Sequence, residues 1–168
     1  MSTQLAETTA TELLRLYRSG AASPVEATRE VLARIHTNTA RVAAFLESHP
    51  AVREVRWALQ PVCAANFRRI ARTPDATGGV ITFTLRRKGA LEPFYDHLRL
   101  PKGPSFGMKT TLICPFMYLA HYDLVTTPSG LAELAASGVD PDLLRLCCGT
   151  EPAEEIVGAL NEALEAVT

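Results

Sequence analysis

No stretch of this sequence approaches the ~18 consecutive apolar residues that a membrane-spanning helix requires. The opening MSTQLAETTATELL has neither the basic start nor the apolar core of a secretory leader. These absences predict a chain without membrane association and a cytoplasmic location. An excess of one charge is missing too: 17 Lys and Arg stand against 18 Asp and Glu, a formal net charge of −1, so no basic field is available for nucleic acid. Metal-binding spacing is likewise absent. The 4 cysteines (Cys63, Cys114, Cys147 and Cys148) form no CxxC pair and the 4 histidines are scattered, so local sequence builds no zinc site and the cysteines read as reduced thiols. Repeats, low-complexity tracts and long Gly/Ser linkers are also lacking, which leaves residues 36 to 50 as the one place for a boundary.

What remains is the composition of a folded globular domain, 47% hydrophobic over 168 residues, long enough to bury a core without disulfides or metals. Helical periodicity dominates the first third. Leu13, Leu14, Leu16 and Tyr17 predict a short helix that stops at Ser19-Gly20. Ser23-Pro24-Val25-Glu26 then reads as a capping box with proline at the first helical position. The helix it opens either continues to His49-Pro50 or bends near the β-branched run Thr37 to Thr39. Beyond Pro50 the pattern shortens: strands near Val52 to Trp57, Gly79 to Leu85, Thr111 to Cys114 and Leu143 to Cys148 alternate with helices at Ala64 to Arg72, Ala90 to Leu98 and Pro128 to Ala136. A last amphipathic helix, capped by Thr150 or Glu151, presents Ile156, Val157, Leu160, Leu164 and Val167 on one face. The predicted fold is α+β: a small, mostly antiparallel sheet covered by helices and preceded by an N-terminal helical hairpin.

From about Asn38 onward the landmarks follow a recognisable order: AAFLESHPAVREVRW, GGVITFTL, PSFGMKTTLICP with His121 after it, and SGVDPDLLRLCCGTEPAEEIVGAL. In this order they resemble the small C-terminal domain of the Cys/Met-metabolism family of pyridoxal-phosphate enzymes, which includes cystathionine synthases and lyases. The most specific match, Leu143 to Glu151, resembles that family's Leu-Leu-Arg-hydrophobic-Ser-x-Gly-x-Glu strand. The resemblance implies that residues 37–168 form such a domain and that Arg145 holds the carboxylate of an amino-acid substrate.

Elementary chemistry gives Arg145 the same task. A guanidinium fork accepts a carboxylate through two parallel hydrogen bonds and stays charged at any working pH. Set between Leu144 and Leu146, it requires a carboxylate partner, either a ligand or an aspartate or glutamate of its own chain.

The resemblance also places Ser105 beside the substrate, although a serine that stabilises a turn fits the same spot. The family's Ser-Leu-Gly-Gly-x-Glu-Ser/Thr-Leu is Ser105-Phe106-Gly107-Met108-Lys109-Thr110-Thr111-Leu112 here, which makes Met108, Lys109 and Thr110 candidates for altered specificity. Cys147 stands where the family has serine. Alternate strand residues face opposite ways, so Cys147 and Cys148 read as buried thiols and not as a redox pair.

Pyridoxal-phosphate chemistry needs a Schiff-base lysine, an acidic partner for the pyridine nitrogen and a phosphate cup. In the family these lie in a large domain that the residues before Asn38 are too few to form. Lys88, Lys102 and Lys109 read as surface charges, so the expected holder of the cofactor is a partner chain. Residues 10 to 35 (ATELLRLYRSGAASPVEATREVLARI) resemble the N-terminal helical pair of amidase-signature enzymes, but the catalytic Ser, Ser and Lys of that group have no counterpart. This first segment, residues 1–36, is expected to bury its apolar face against a partner. Two functions follow: the small subunit of a split enzyme acting at the β or γ carbon of a sulfur amino acid or homoserine ester, or a non-catalytic relic that binds or regulates another protein.

Overall fold

The computed structural model describes residues 5–73 and 76–168. After a single 3-10 turn, Leu5–Glu7, the elements in chain order are α1 (Ala10–Ser19), α2 (Pro24–Ser48), β1 (Val52–Arg56), α3 (Pro61–Ile70), β2 (Val80–Leu85), α4 (Leu91–His97), β3 (Leu112–Pro115), α5 (Phe116–Ala120), α6 (Tyr122–Thr126), α7 (Pro128–Ser137), β4 (Leu144–Cys147) and α8 (Ala153–Glu165).

The capping box forms as the sequence predicts: the Ser23 amide donates to Glu26 at 2.8 Å and the Glu26 amide donates to Ser23 Oγ at 3.2 Å. Beyond it α2 is one continuous helix. The hydroxyls of Thr37 and Thr39 donate to the carbonyls of Ala33 and Ile35 at 3.0 and 2.7 Å, so the β-branched run is absorbed within the helix instead of ending it.

The sheet has the order β1-β2-β4-β3 and every neighbouring pair is antiparallel. Period-two alternation sends Ile81, Phe83 and Leu85 of β2, Ile113 of β3, and Leu144 and Leu146 of β4 to one face, where they form the core with Val42, Ala43 and Leu46 of α2, Phe94 of α4 and Ile156, Leu160 and Leu164 of α8. In β1 the register shifts between Val52 and Glu54, and this bulge turns both Val52 and Val55 inward. The opposite face carries a cross-strand row in which Arg145 pairs with Thr82 on one side and Cys114 on the other. Segment 101–103 covers the outer edge of β3, with the Ile113 amide donating to Pro101 O at 3.2 Å and the Gly103 amide to Ile113 O at 3.0 Å.

Two features depart from the sequence reading. Helices α5 and α6 carry no long amphipathic repeat; they form because Met117 and Val125 close a second small cluster with Leu134. The other departure is at α8, whose N-cap is Pro152 without a side-chain bond. Neither Thr150 nor Glu151 caps it. Instead the Glu151 carboxylate accepts from the Thr111 amide at 2.6 Å and the Thr111 hydroxyl at 2.8 Å. Around it, Asn38 Nδ2 donates to the carbonyls of Gly149 at 3.0 Å and Glu151 at 2.7 Å, and the Gly149 amide donates to Thr111 Oγ1 at 2.8 Å.

Gly149 is enclosed so tightly that a Cβ there would lie 2.2 Å from Lys109 O and 2.6 Å from the Thr111 nitrogen. Gly149→Ala is therefore expected to lower unfolding free energy by about 1–3 kcal/mol. Gly158, in α8, meets nothing within 4 Å at the same test, so Gly158→Ala should raise stability by about 0.5–1 kcal/mol. Denaturant unfolding of the two variants checks both signs.

Candidate functional site

Arg145 lies half-buried on the sheet face away from the core helices. Its Nη2 donates to the Pro104 carbonyl. The guanidinium carbon sits 3.8 Å from the centre of the Phe106 ring and 4.6 Å from that of Phe116, distances at which the ring quadrupole attracts a cation. Phe116 is fixed by chain geometry: it opens α5 directly after β3, and its amide donates to Leu143 O at 3.0 Å. Phe106 reaches the same cation from the loop that follows segment 101–103.

Other arginines find acids, as in Arg15 with Glu12, Arg34 with Glu7, Arg41 with Glu154 and Arg53 with Asp140. Among the described residues no carboxylate pairs with Arg145, so the alternative of an ion pair within the chain has no counterpart here.

Ser105 is exposed and sits between the two residues that touch Arg145. Met108 and Lys109 instead face the N-terminal helices, lining an apolar groove of about 330 Å³ with Leu13, Tyr17, Val31 and Ile35. Lys109 O accepts from the Thr150 amide at 2.7 Å, and Thr110 shares a shallow pocket with Glu7, Arg34 and Glu151. The structure thus brings Ser105 to Arg145 and carries Met108, Lys109 and Thr110 elsewhere. The aromatic partners Phe106 and Phe116 escaped the sequence reading, although Phe106, an aromatic where the family pattern has leucine, was a visible signal.

A cavity of about 500 Å³ is lined by residues that include Tyr95, Pro115 and Tyr118 and the acids Glu92, Asp96 and Asp142. Its carboxylates repel an anion, and it does not include Arg145. Tyr118 donates to Asp142 at 3.2 Å and its phenol pKa is raised, first by burial and then by that carboxylate. Cys114, beside Arg145, has its thiol pushed up by burial while the guanidinium pulls the other way. Cys148 belongs to the core and Cys147, one residue earlier, points to the opposite face. Lys88, Lys102 and Lys109 are all exposed, and Lys102 rests 4.7 Å over the Tyr95 ring. These lysines, out in solvent, do not fit the requirements of a pyridoxal-phosphate pocket.

A helix-backed antiparallel sheet that carries Arg145 on its other face defines an α+β domain. The chain belongs to the Cys/Met metabolism PLP-dependent enzyme family, whose profile matches residues 29–165. It is 39% identical over 132 residues to an L-2-amino-4-chloropent-4-enoate dechlorinase/desaturase of Streptantibioticus cattleyicolor, covering 79% of this chain and 26% of that protein. It is 30% identical over 132 residues to cystathionine gamma-synthase of Neurospora crassa, covering 79% of this chain and 20% of the relative. The fold superimposes with a TM-score of 0.68 and 26% identity on a crystal structure of cystathionine gamma synthase from Xanthomonas oryzae pv. oryzae in complex with cystathionine, covering 82% of this chain and 34% of the other. The chain therefore spans between about a fifth and about a third of the length of these relatives. Among the described residues no helix is long and apolar enough to cross a membrane.

The Cys148 thiol has a pH consequence. Burial raises its pKa from an ordinary 9.0 to about 12, so between those values the unfolded chain gives up a proton that the folded chain keeps, and stability falls as pH rises through that window. Below it the contribution is fully present. Cys148→Ala should flatten this decline, as read from unfolding midpoints measured at several pH values on both proteins.

Proposed function

We propose that this chain is the small, substrate-binding subunit of a split Cys/Met-metabolism enzyme, and that a separate polypeptide holds pyridoxal phosphate. The observation that carries the reading is the state of Arg145: a permanent cation at the sheet surface, braced by two aromatic rings and a carbonyl, with no acid among the described residues to neutralise it. Its ligand is the α-carboxylate of an amino acid, with Ser105 offering a hydroxyl beside it. The compound in the name of the 39% identical relative, L-2-amino-4-chloropent-4-enoate, is also an amino acid, which supports this class.

The reaction assigned to the assembly is elimination or replacement at the β or γ carbon of a sulfur amino acid or homoserine ester, in the cytoplasm. The hairpin of α1 and the first turns of α2 supplies contacts to the partner: Leu14, Val25 and Leu32 remain exposed on it. Met108, Lys109 and Thr110, set against that hairpin and its neighbouring loop, are assigned to fitting the partner to the substrate side.

Co-purification with the products of neighbouring reading frames, followed by a visible spectrum, tests for the cofactor-bearing chain. Within that complex Arg145→Lys, which keeps the charge and loses the fork, should weaken amino-acid binding by about 1.5–3 kcal/mol while the melting temperature of the lone chain stays unchanged. Arg145→Ala should weaken it further. Unchanged Kd in both variants would remove the carboxylate role and favour a non-catalytic binding or regulatory domain.

A further inference from the structure

Phe106 is 54% exposed, and its ring lies against the Arg145 guanidinium. A large aromatic kept half in water gains little from burial, so its position calls for another explanation. The chain around it is shaped to hold it there. Pro104 gives its carbonyl to Arg145 Nη2, and Gly107 adopts φ 65°, a left-handed turn directly after the ring. Two residues of one short turn thus hold one cation, while Phe116 braces it from the end of β3. An arginine side chain free in solvent loses rotamer freedom when it binds; one already held loses less. Two rings stand against its carbon, Pro104 takes one proton and Cys114 lies beside it, so a ligand would meet the N–H groups not engaged there.

We propose that Phe106 is a positioning residue that holds the guanidinium of Arg145 ready for a carboxylate. This rests on Arg145 being the carboxylate holder. Leucine could pack at this position but has no π face to attract the cation.

The test uses the full 168-residue chain and acetate as the probe, followed by NMR in two readouts: backbone amide shifts of Ser105 to Gly107 during titration, and relaxation of the Arg145 Nε–H group without ligand. Phe106→Ala is expected to bind acetate about two- to fivefold more weakly, the size of an exposed cation–π contact, and to show faster motion of the Arg145 side chain. Phe106→Tyr should restore both readouts, and Phe106→Leu should not. Gly107→Val keeps the ring but strains the left-handed turn, where a Cβ meets nothing within 4 Å; it should loosen Arg145 in the same direction. Arg145→Lys separates the two levels. If it binds acetate as tightly as the unsubstituted chain, the carboxylate role of Arg145 fails. If it loses binding while Phe106→Ala or Phe106→Leu keeps it, or if Arg145 mobility is unchanged in Phe106→Ala, the positioning role fails. Tighter acetate binding by Phe106→Ala would also overturn it, because the turn would then be a competitor for the guanidinium.

Discussion

The arrangement depends on one carboxylate. Glu151 grips both the amide and the hydroxyl of Thr111, while Asn38 from α2 bridges the carbonyls of Gly149 and Glu151. These groups lie where water has little access, so each unmade bond would cost the desolvation of its donor or acceptor. Satisfied together, they tie three distant segments: the middle of α2, the approach to β3 and the exit from β4. Cys114 stands opposite Arg145 because Thr111 is anchored three residues before it, and a slip of one residue would turn β3 over. The lack of space at Gly149 follows from the same closeness of the three segments.

Arg145 shows how a sheet two residues wide in its alternation can serve two purposes. Leu144 and Leu146 are fully buried toward the helices, and the residue between them emerges on the other side. The cation therefore never has to be carried through the core. Its surroundings are aromatic rings and a neutral carbonyl, which hold charge in place without cancelling it. An internal carboxylate would have supplied more Coulomb energy and cancelled the charge.

Much of this was legible in the sequence because it depends on local chemistry. The Ser23 to Glu26 box fixes the start of α2, and Val80 to Leu85 is a strand by alternation and by its β-branched and aromatic residues. The four strands and the position of Arg145 among them follow from such patterns. The α5 and α6 helices were not legible, since each is five residues long and forms through contacts with residues elsewhere in the chain. By sequence Glu151 reads as a candidate cap for α8. Acid before a helix is a local signal, whereas its true partner, Thr111, lies 40 positions away. The same holds for Phe106 and Arg145, brought together by the path of the loop past β3. Spacing in the sequence carries no trace of that distance.

The continuity of α2 has a consequence for how this protein can be altered. The family match begins at residue 29, inside a helix that runs from Pro24 to Ser48 without interruption. Whatever precedes that point is attached to the domain through a helical phase. Adding or removing a single residue between Glu26 and Asn38 would swing the leading helices about 100° around the axis and shift them about 1.5 Å along it. The junction therefore tolerates exchange of one leading segment for another only when the incoming segment arrives in step with the helix, a condition on reading phase that a flexible linker would never impose.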